Sequence, residues 1–395
     1  MTDGFQENTA LTRRGLMTTG ATTLGVAVAS VAQAQVRPAP AAGKPPATPI
    51  GRMDLHVAAR APNTPTGVVI SATGRVFVFM PRFDDKTVYT VGEVARDGGV
   101  TPYPDAALNR PDAARAEQTL FFVPNGVIDA RNRLWLVDAG LMASSGVPVP
   151  GAAKLVCIDL ASNAVVRRIP LASAIEPTSS LNDLRVDAEA RYAYVSDMGQ
   201  EGQGAIIIVD LTTGRAVRRL GRHASAAWTP GIVKLVEGRQ VMTRRPDGST
   251  APVKGGANGI ALSPDGRRLY YSPLIGRHLY AIDTAILRDP QASDSAIAAK
   301  VEDLGEKGLT GGLLCDPQGR VLLTLQEHNA VGRRNADGSV EIIASDPRLV
   351  WSDTLWIEGG WLYVIAAQVN RRAEFNGGVD RQQRPWAILR TRLPA

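Results

Sequence analysis

Five residues recur at equivalent places in an internal repeat and carry oxygen-bearing side chains: Asn125, Asn182, Asp183, Asn258 and Asp353. Amide and carboxylate oxygens are the donors a hard cation such as calcium, or another divalent cation, selects. The same groups can orient a small polar ligand. Within this set Asn182, Asn258 and Asp353 are the candidate metal ligands, and Asp183 is also a candidate acid or base. Glu327 and His328, in the stretch QEHN, are further acid/base candidates, because the loop after a repeat strand would carry them to the same place. Asn-Gly and Asn-Asp pairs also make ordinary tight turns. It is their return in one register that points to a site.

The elements that must position these residues are strands. Residues 181–220 read as four in meander order, with period-2 apolar patterning and polar turns between them. A single sheet of this kind is marginal, so similar sheets should stand beside it. The strand-turn-strand signature returns at intervals of about 50 residues, the spacing of propeller blades. It appears as TGVVISATGRVFVF, PNGVIDARNRLWLVD, LNDLRVDAEARYAYVSD, NGIALSPDGRRLYYS, GGLLCDPQGRVLLTL and SDTLWIEGGWLYVIA. The expected fold is therefore all-β, a six-bladed β-propeller over residues 51–395. The pairs Thr66/Gly67, Pro124/Asn125, Asn182/Asp183, Asn258/Gly259, Gly311/Gly312 and Ser352/Asp353 would ring one mouth of its channel. The strand-like MDLHVA has no repeat of its own and should share a blade with WAILRTRL near the other end, closing the ring. Residues 105–118 and 285–298 have helical bias and are expected as loops with at most a short helix each.

Composition excludes several functions. The chain has 395 residues and a net charge of +6, but its basic residues are scattered, the longest runs being pairs such as Arg371/Arg372. No basic stripe is interleaved with aromatics, so nucleic acid is not an expected partner. Cys157 and Cys315 sit in apolar runs of different repeats and read as buried, unbridged residues. His56, His223, His278 and His328 lack metal-ligand spacing, and Ser71 and Ser225 lack a nucleophile elbow. The tryptophans Trp135, Trp351, Trp356 and Trp361 fall in strand patterns and read as packing residues.

Residues 1–34 read as a cleavable export signal: Arg13 and Arg14 precede an uncharged Gly/Ala/Thr-rich run that ends in Ala-Gln-Ala. The pattern resembles a twin-arginine signal, which implies a periplasmic or secreted protein exported after folding. Residues 35–50, rich in Pro and Ala, read as a tether. The apolar run is too short and too poor in large side chains for stable membrane insertion.

Several motifs together resemble the yellow and major royal jelly protein family. They are PRFDD, TPYPD, LNDLRVD, GRHASAAW, GIALSPDGRRLYYSPL, WSDTLW and the tail AAQVNR with FNGG, in the family's order. The resemblance implies a six-bladed propeller in a secreted protein. Its members include dopachrome-converting enzymes and proteins that bind small amines or lipids without known catalysis. A more distant resemblance is to the calcium-dependent sugar lactonases, whose Glu, Asn and Asp hold a metal that polarises a lactone carbonyl. Asn258 and Asn182 match that family's asparagines. The Asp falls on Gly311 and the Glu on Thr66 or Gly67, so Asp183 and Asp353 would have to replace them.

Two functions follow as expectations. One is a metal-assisted lactone hydrolase or dopachrome-type isomerase, with the metal on Asn182, Asn258 and one or both of Asp183 and Asp353. The other is a binding protein that presents the same mouth to a small-molecule ligand without turnover.

Overall fold

The computed structural model describes residues 54–57, 63–84, 86–143, 146–244 and 247–393. The export signal and the tether lie outside the described residues. The described chain forms six four-stranded antiparallel sheets and two short hairpins. The innermost strands are Gly67–Ile70, Asn125–Ile128, Leu181–Val186, Ala257–Leu262, Thr310–Cys315 and Ser352–Glu358, and each packs against the next around a closed ring. This is the expected six-bladed propeller.

Each blade reflects its sequence. In blade three the second and third strands, Tyr192–Asp197 and Ala205–Asp210, read as continuous apolar runs because both faces are covered by neighbouring blades. In blade two the outermost strand, Ala164–Pro170, alternates exposed and less exposed residues. The first turn of several blades is held by an aspartate. Asp187 accepts from the backbone N–H of Arg191 and Tyr192, and Asp129 and Asp316 do the same in their blades. Such side-chain capping is why an Asp begins these turns.

The core is divided into one apolar cluster for each junction between blades. Trp135, Leu155, Leu184 and Ile207 fill the junction of blades two and three, and Tyr194, Ile206, Ile260 and Tyr271 that of blades three and four. A fully buried Leu or Ile of this kind contributes about 1.5–3 kcal/mol. No blade buries its faces alone, so the ring folds as a unit.

Closure occurs as expected. Asp54–Val57 pairs antiparallel with Ala387–Arg392, from Asp54 opposite Arg390 to Val57 opposite Ala387, and forms the outermost strand of blade six. The helical segments are richer than expected. Residues 105–118 hold a short helix, Ala106–Asn109, and a 3₁₀ turn, while the second stretch holds two helices, Thr284–Arg288 and Asp294–Ala298. Asp283 and Ser293 cap the last two, and the segment between them carries Pro290. Both cysteines are free, and burial pushes each thiol up to about 12. Among the described residues no helix is long and apolar enough to cross a membrane.

Candidate functional site

A cavity of about 370 Å³ lies over one mouth of the channel. Its floor holds Thr66, Asn182, Asn258 and Asp353, from the starts of innermost strands. Phe83, Phe122, Trp351 and Phe375 give it an aromatic wall. Two connections complete it: the hairpin Met242–Arg244 with Thr250–Pro252, between blades three and four, and the loop 367–386 inside blade six. Trp351 and Phe375 stack with ring centroids 6.4 Å apart, so Trp351, expected only to pack, also faces the site.

The repeat positions converge, but they divide into two groups. Asn182, Asn258 and Asp353 line the cavity, whereas Asn125 and Asp183 do not. Asn125 and Asp183 are committed to one another, the Asn125 amide donating to the Asp183 carboxylate at 2.5 Å. Asp183 also accepts from Arg185 at 2.7 Å and from the N–H groups of Leu184 and Ile260. Arg185 in turn reaches the Leu313 carbonyl on blade five, at 2.6 Å. Blades three and five are not neighbours, so this guanidinium reaches across the channel. Burial pushes the Asp183 carboxyl up, against the pull of Arg185 and its hydrogen bonds.

Backbone bulges explain the division. In blades three to six the pairing of the first two strands shifts register where the repeated pair lies, between Leu181 and Leu184, Ala257 and Gly259, Thr310 and Leu313, and Ser352 and Leu355. A bulge re-aims side chains and breaks strict alternation. It brings Asn182, Asn258 and Asp353 to one mouth although they occupy different members of their pairs.

The starts of the strands are also stapled together. Thr66 donates to the Pro124 carbonyl, Asn182 to the Asn258 amide oxygen and Asn258 to the Gly311 carbonyl. Gln326 donates to the Ser352 carbonyl, and Thr354 to that of Thr66. With the Asn125 to Asp183 bond these link all six blades in a circle. The glycines of the ring are required by close approach. A Cβ on Gly311 would lie 2.4 Å from the Gln326 amide nitrogen and 2.7 Å from the Ser352 carbonyl oxygen.

Asp353 differs from its neighbours. It is partly accessible from the cavity, and its carboxylate has no hydrogen-bond partner among the described residues. Burial and repulsion from Asp183 push this carboxyl up to about 7, with Lys234 opposing. The enclosing walls desolvate it although it opens onto the cavity.

Lys234 lies on a connection outside the repeats, so the repeat register does not single it out. It is buried, donates to the Gln326 amide oxygen and lies 4.2 Å from the centroid of the Trp351 ring. Burial lowers it to about 7, against the pull of Asp353 and Glu327. The signal that could have found it is a lone cation among apolar neighbours, IVKLV.

Glu327 and His328 do not line the cavity. The Glu327 carboxylate is held by Arg277 at 2.9 Å and by the Leu309 N–H, so it is a structural anchor and not a free acid or base. Ser225 bonds His223 and Tyr271 but is buried away from the cavity.

The donor set falls short of a calcium site. Both ends of the Asn258 amide are engaged, Asp183 is neutralised by Arg185, and Gly311 has no room for an acid. Among the described residues the free carboxylate and amide oxygens on the floor are those of Asn182 and Asp353, against the six to eight oxygens that calcium takes. Among the described residues no group of three His, Cys, Asp or Glu could hold a metal ion.

Residues 125–394, more than half the chain, match the family described as Major royal jelly protein. The chain belongs to that family. Among the relatives of this royal jelly family protein, Major royal jelly protein 3 of Apis mellifera is 28% identical over 204 residues, covering 50% of this chain and 34% of its own length. Protein yellow of Drosophila melanogaster is 26% identical over 284 residues, covering 65% of this chain and 48% of its own. The match thus spans about a third to a half of these relatives' length.

Two solved propellers resemble the royal jelly family fold seen here. One is regucalcin, a calcium-binding protein from Agrobacterium tumefaciens, at 15% identity and TM-score 0.51, covering 87% of this chain and 95% of its own. The other is a gluconolactonase from Xanthomonas campestris, at 15% identity and TM-score 0.51, covering 87% and 91%. At that identity the likeness is one of fold.

Proposed function

We propose that the cavity binds a small aromatic molecule bearing a protonated amine. The carrying observation is one unpartnered carboxylate, Asp353, on the floor of a cavity walled by Phe83, Phe122, Trp351 and Phe375. The other charged residues lining it are paired: Glu201 with Lys254 at 2.7 Å, and Glu374 with Arg372 at 2.7 Å. A ligand ammonium would complete Asp353, while aromatic faces take the ring and add cation–π attraction. The Asn182 amide oxygen offers a second acceptor.

Calorimetric titration with tryptamine and its neutral analogue tryptophol tests this reading. Tryptamine is expected to bind at least tenfold more tightly, and equal or absent binding of the two would end it.

A second reading rests on the position of Asp353 near neutrality, where a carboxylate serves best as a general base. Asp353 would take a proton from a carbon of an oxidised catechol and return it to an oxygen of the same molecule, a tautomerisation that consumes no co-reactant. Dopachrome decay followed by absorbance checks it, with Asp353→Asn as the inactive control. Metal-assisted lactone hydrolysis is not part of either reading, because the donors on the floor do not make a calcium cage.

Export by the twin-arginine route belongs to the same proposal and rests on residues 1–34. Replacing Arg13 and Arg14 by lysine should retain the protein in the cytoplasm, as measured by fractionation.

A further inference from the structure

We infer that the protein carries a second binding site, for an oxyanion such as a sulfate or phosphate group, outside the cavity already described. It is a groove of about 580 Å³ between the hairpin Leu235–Val236/Arg239–Gln240 and the loop of blade six, lined by Arg239, Arg371 and Arg381 with Asn370, Asn376 and Gly377.

What sets the groove apart in this molecule is that unspent guanidiniums converge in it. Elsewhere its arginines are mostly spent on carboxylates: Arg75 on Glu93, Arg133 on Asp129, Arg277 on Glu306 and Glu327, and Arg320 on Asp316. In the groove the single acid, Glu237, is fully used. It takes the Arg371 guanidinium on both oxygens, at 2.9 and 2.5 Å, and the Asn370 amide at 2.9 Å. The side chains of Arg239 and Arg381, both exposed, have no hydrogen bond or ion pair among the described residues. Arg244 adds a third such guanidinium at the edge, its Nη1 3.9 Å from where a Cβ on Gly377 would sit.

These cations come from two segments more than a hundred residues apart in the chain. Their convergence is a product of the fold. The Glu237 to Arg371 pair ties the two segments together, so the free guanidiniums are presented from a fastened frame. Guanidinium is the side chain best suited to planar, multidentate recognition of oxyanions. Gly377, at a φ of 65°, adds no side chain of its own. The groove shares Phe375 with the cavity but none of its floor, so this site does not depend on what the cavity binds.

The test is calorimetric titration of the whole protein at constant ionic strength, in chloride, with inorganic sulfate and separately with a sulfated disaccharide. Saturable binding of at least one is expected. It should weaken at least tenfold in the double variant Arg239→Gln/Arg381→Gln and stay unchanged in Arg267→Gln, whose side chain is exposed on another blade. Equal affinity for both probes identifies a free-anion site, and binding of the disaccharide alone identifies an ester on a larger molecule. Circular dichroism checks the fold of the variants, and the two single substitutions replace the double one if it melts early. Absence of saturable binding by either probe, or undiminished binding in the substituted proteins, overturns the inference.

Discussion

Lys234 holds its ammonium 4.2 Å from the centroid of the Trp351 ring while donating to the amide oxygen of Gln326. Trp351 faces the cavity, so the lysine lies on the far side of a wall that any ligand would touch. The pair also accounts for the shape of the site. Blade five alone contributes no residue to the cavity lining, and it is there that Lys234 reaches Gln326.

Stability should pass through a minimum near pH 7. Asp353 is raised from 3.8 to about 7, so the native state holds its proton more tightly and loses stability as pH rises from about 4 to 7. Lys234 is lowered from 10.5 to about 7, so the unfolded state binds more protons above neutrality and stability returns between about 7 and 10.5. Denaturant unfolding from pH 4 to 10 should show this trough, and Lys234→Met/Asp353→Asn should flatten it.

Asp353→Asn should leave the fold intact and weaken binding of tryptamine by about tenfold or more, the worth of one hydrogen bond to a charged group. Tryptophol binding should not change. Equal loss for both ligands would mean that the substitution had altered the shape of the cavity.

How much of this was legible beforehand depends on what the repeat encodes. The alternating runs and Asp-led turns of residues 181–220 carry the blade plan, and their recurrence carries the ring. The repeat also aligned Asn182, Asn258 and Asp353, which do meet. It could not separate them from Asn125 and Asp183, because a bulge decides which member of a pair faces the mouth, and a bulge is a backbone event without a fixed residue signature. Lys234, Arg239 and Phe375 lie on connections that obey no period. Glu327 looked available because Arg277, which engages it, belongs to another blade.

Gly311→Ala should destabilise the protein by about 1–3 kcal/mol, the usual cost of overpacking. The added carbon meets the Ser352 carbonyl and the Gln326 amide. Gly311→Asp should be worse and should not create calcium binding, as elemental analysis after dialysis against calcium would reveal.

Lys154→Met should cost about 3–5 kcal/mol, as is usual when one partner of a buried ion pair is removed. The Lys154 ammonium touches Asp138 at 2.9 Å and the carbonyls of Ala116 and Ala152 at 3.0 and 2.7 Å. Asp138 also caps the N–H groups of Phe121 and Phe122, beside the aromatic wall. Urea unfolding measures the loss, and ligand affinity should fall with it.

The pairing of Asp54–Val57 with Ala387–Arg392 gives the molecule a fastener made from an early and a late part of the chain. Blade six stays incomplete, and the ring open, until Ala387–Arg392 has been made. Until that moment the early strand has no edge to join. A ribosome stalled before Ala387–Arg392 emerges would therefore hold an open ring with its early strand unpaired, and quality control of this protein is a matter of timing at its clasp.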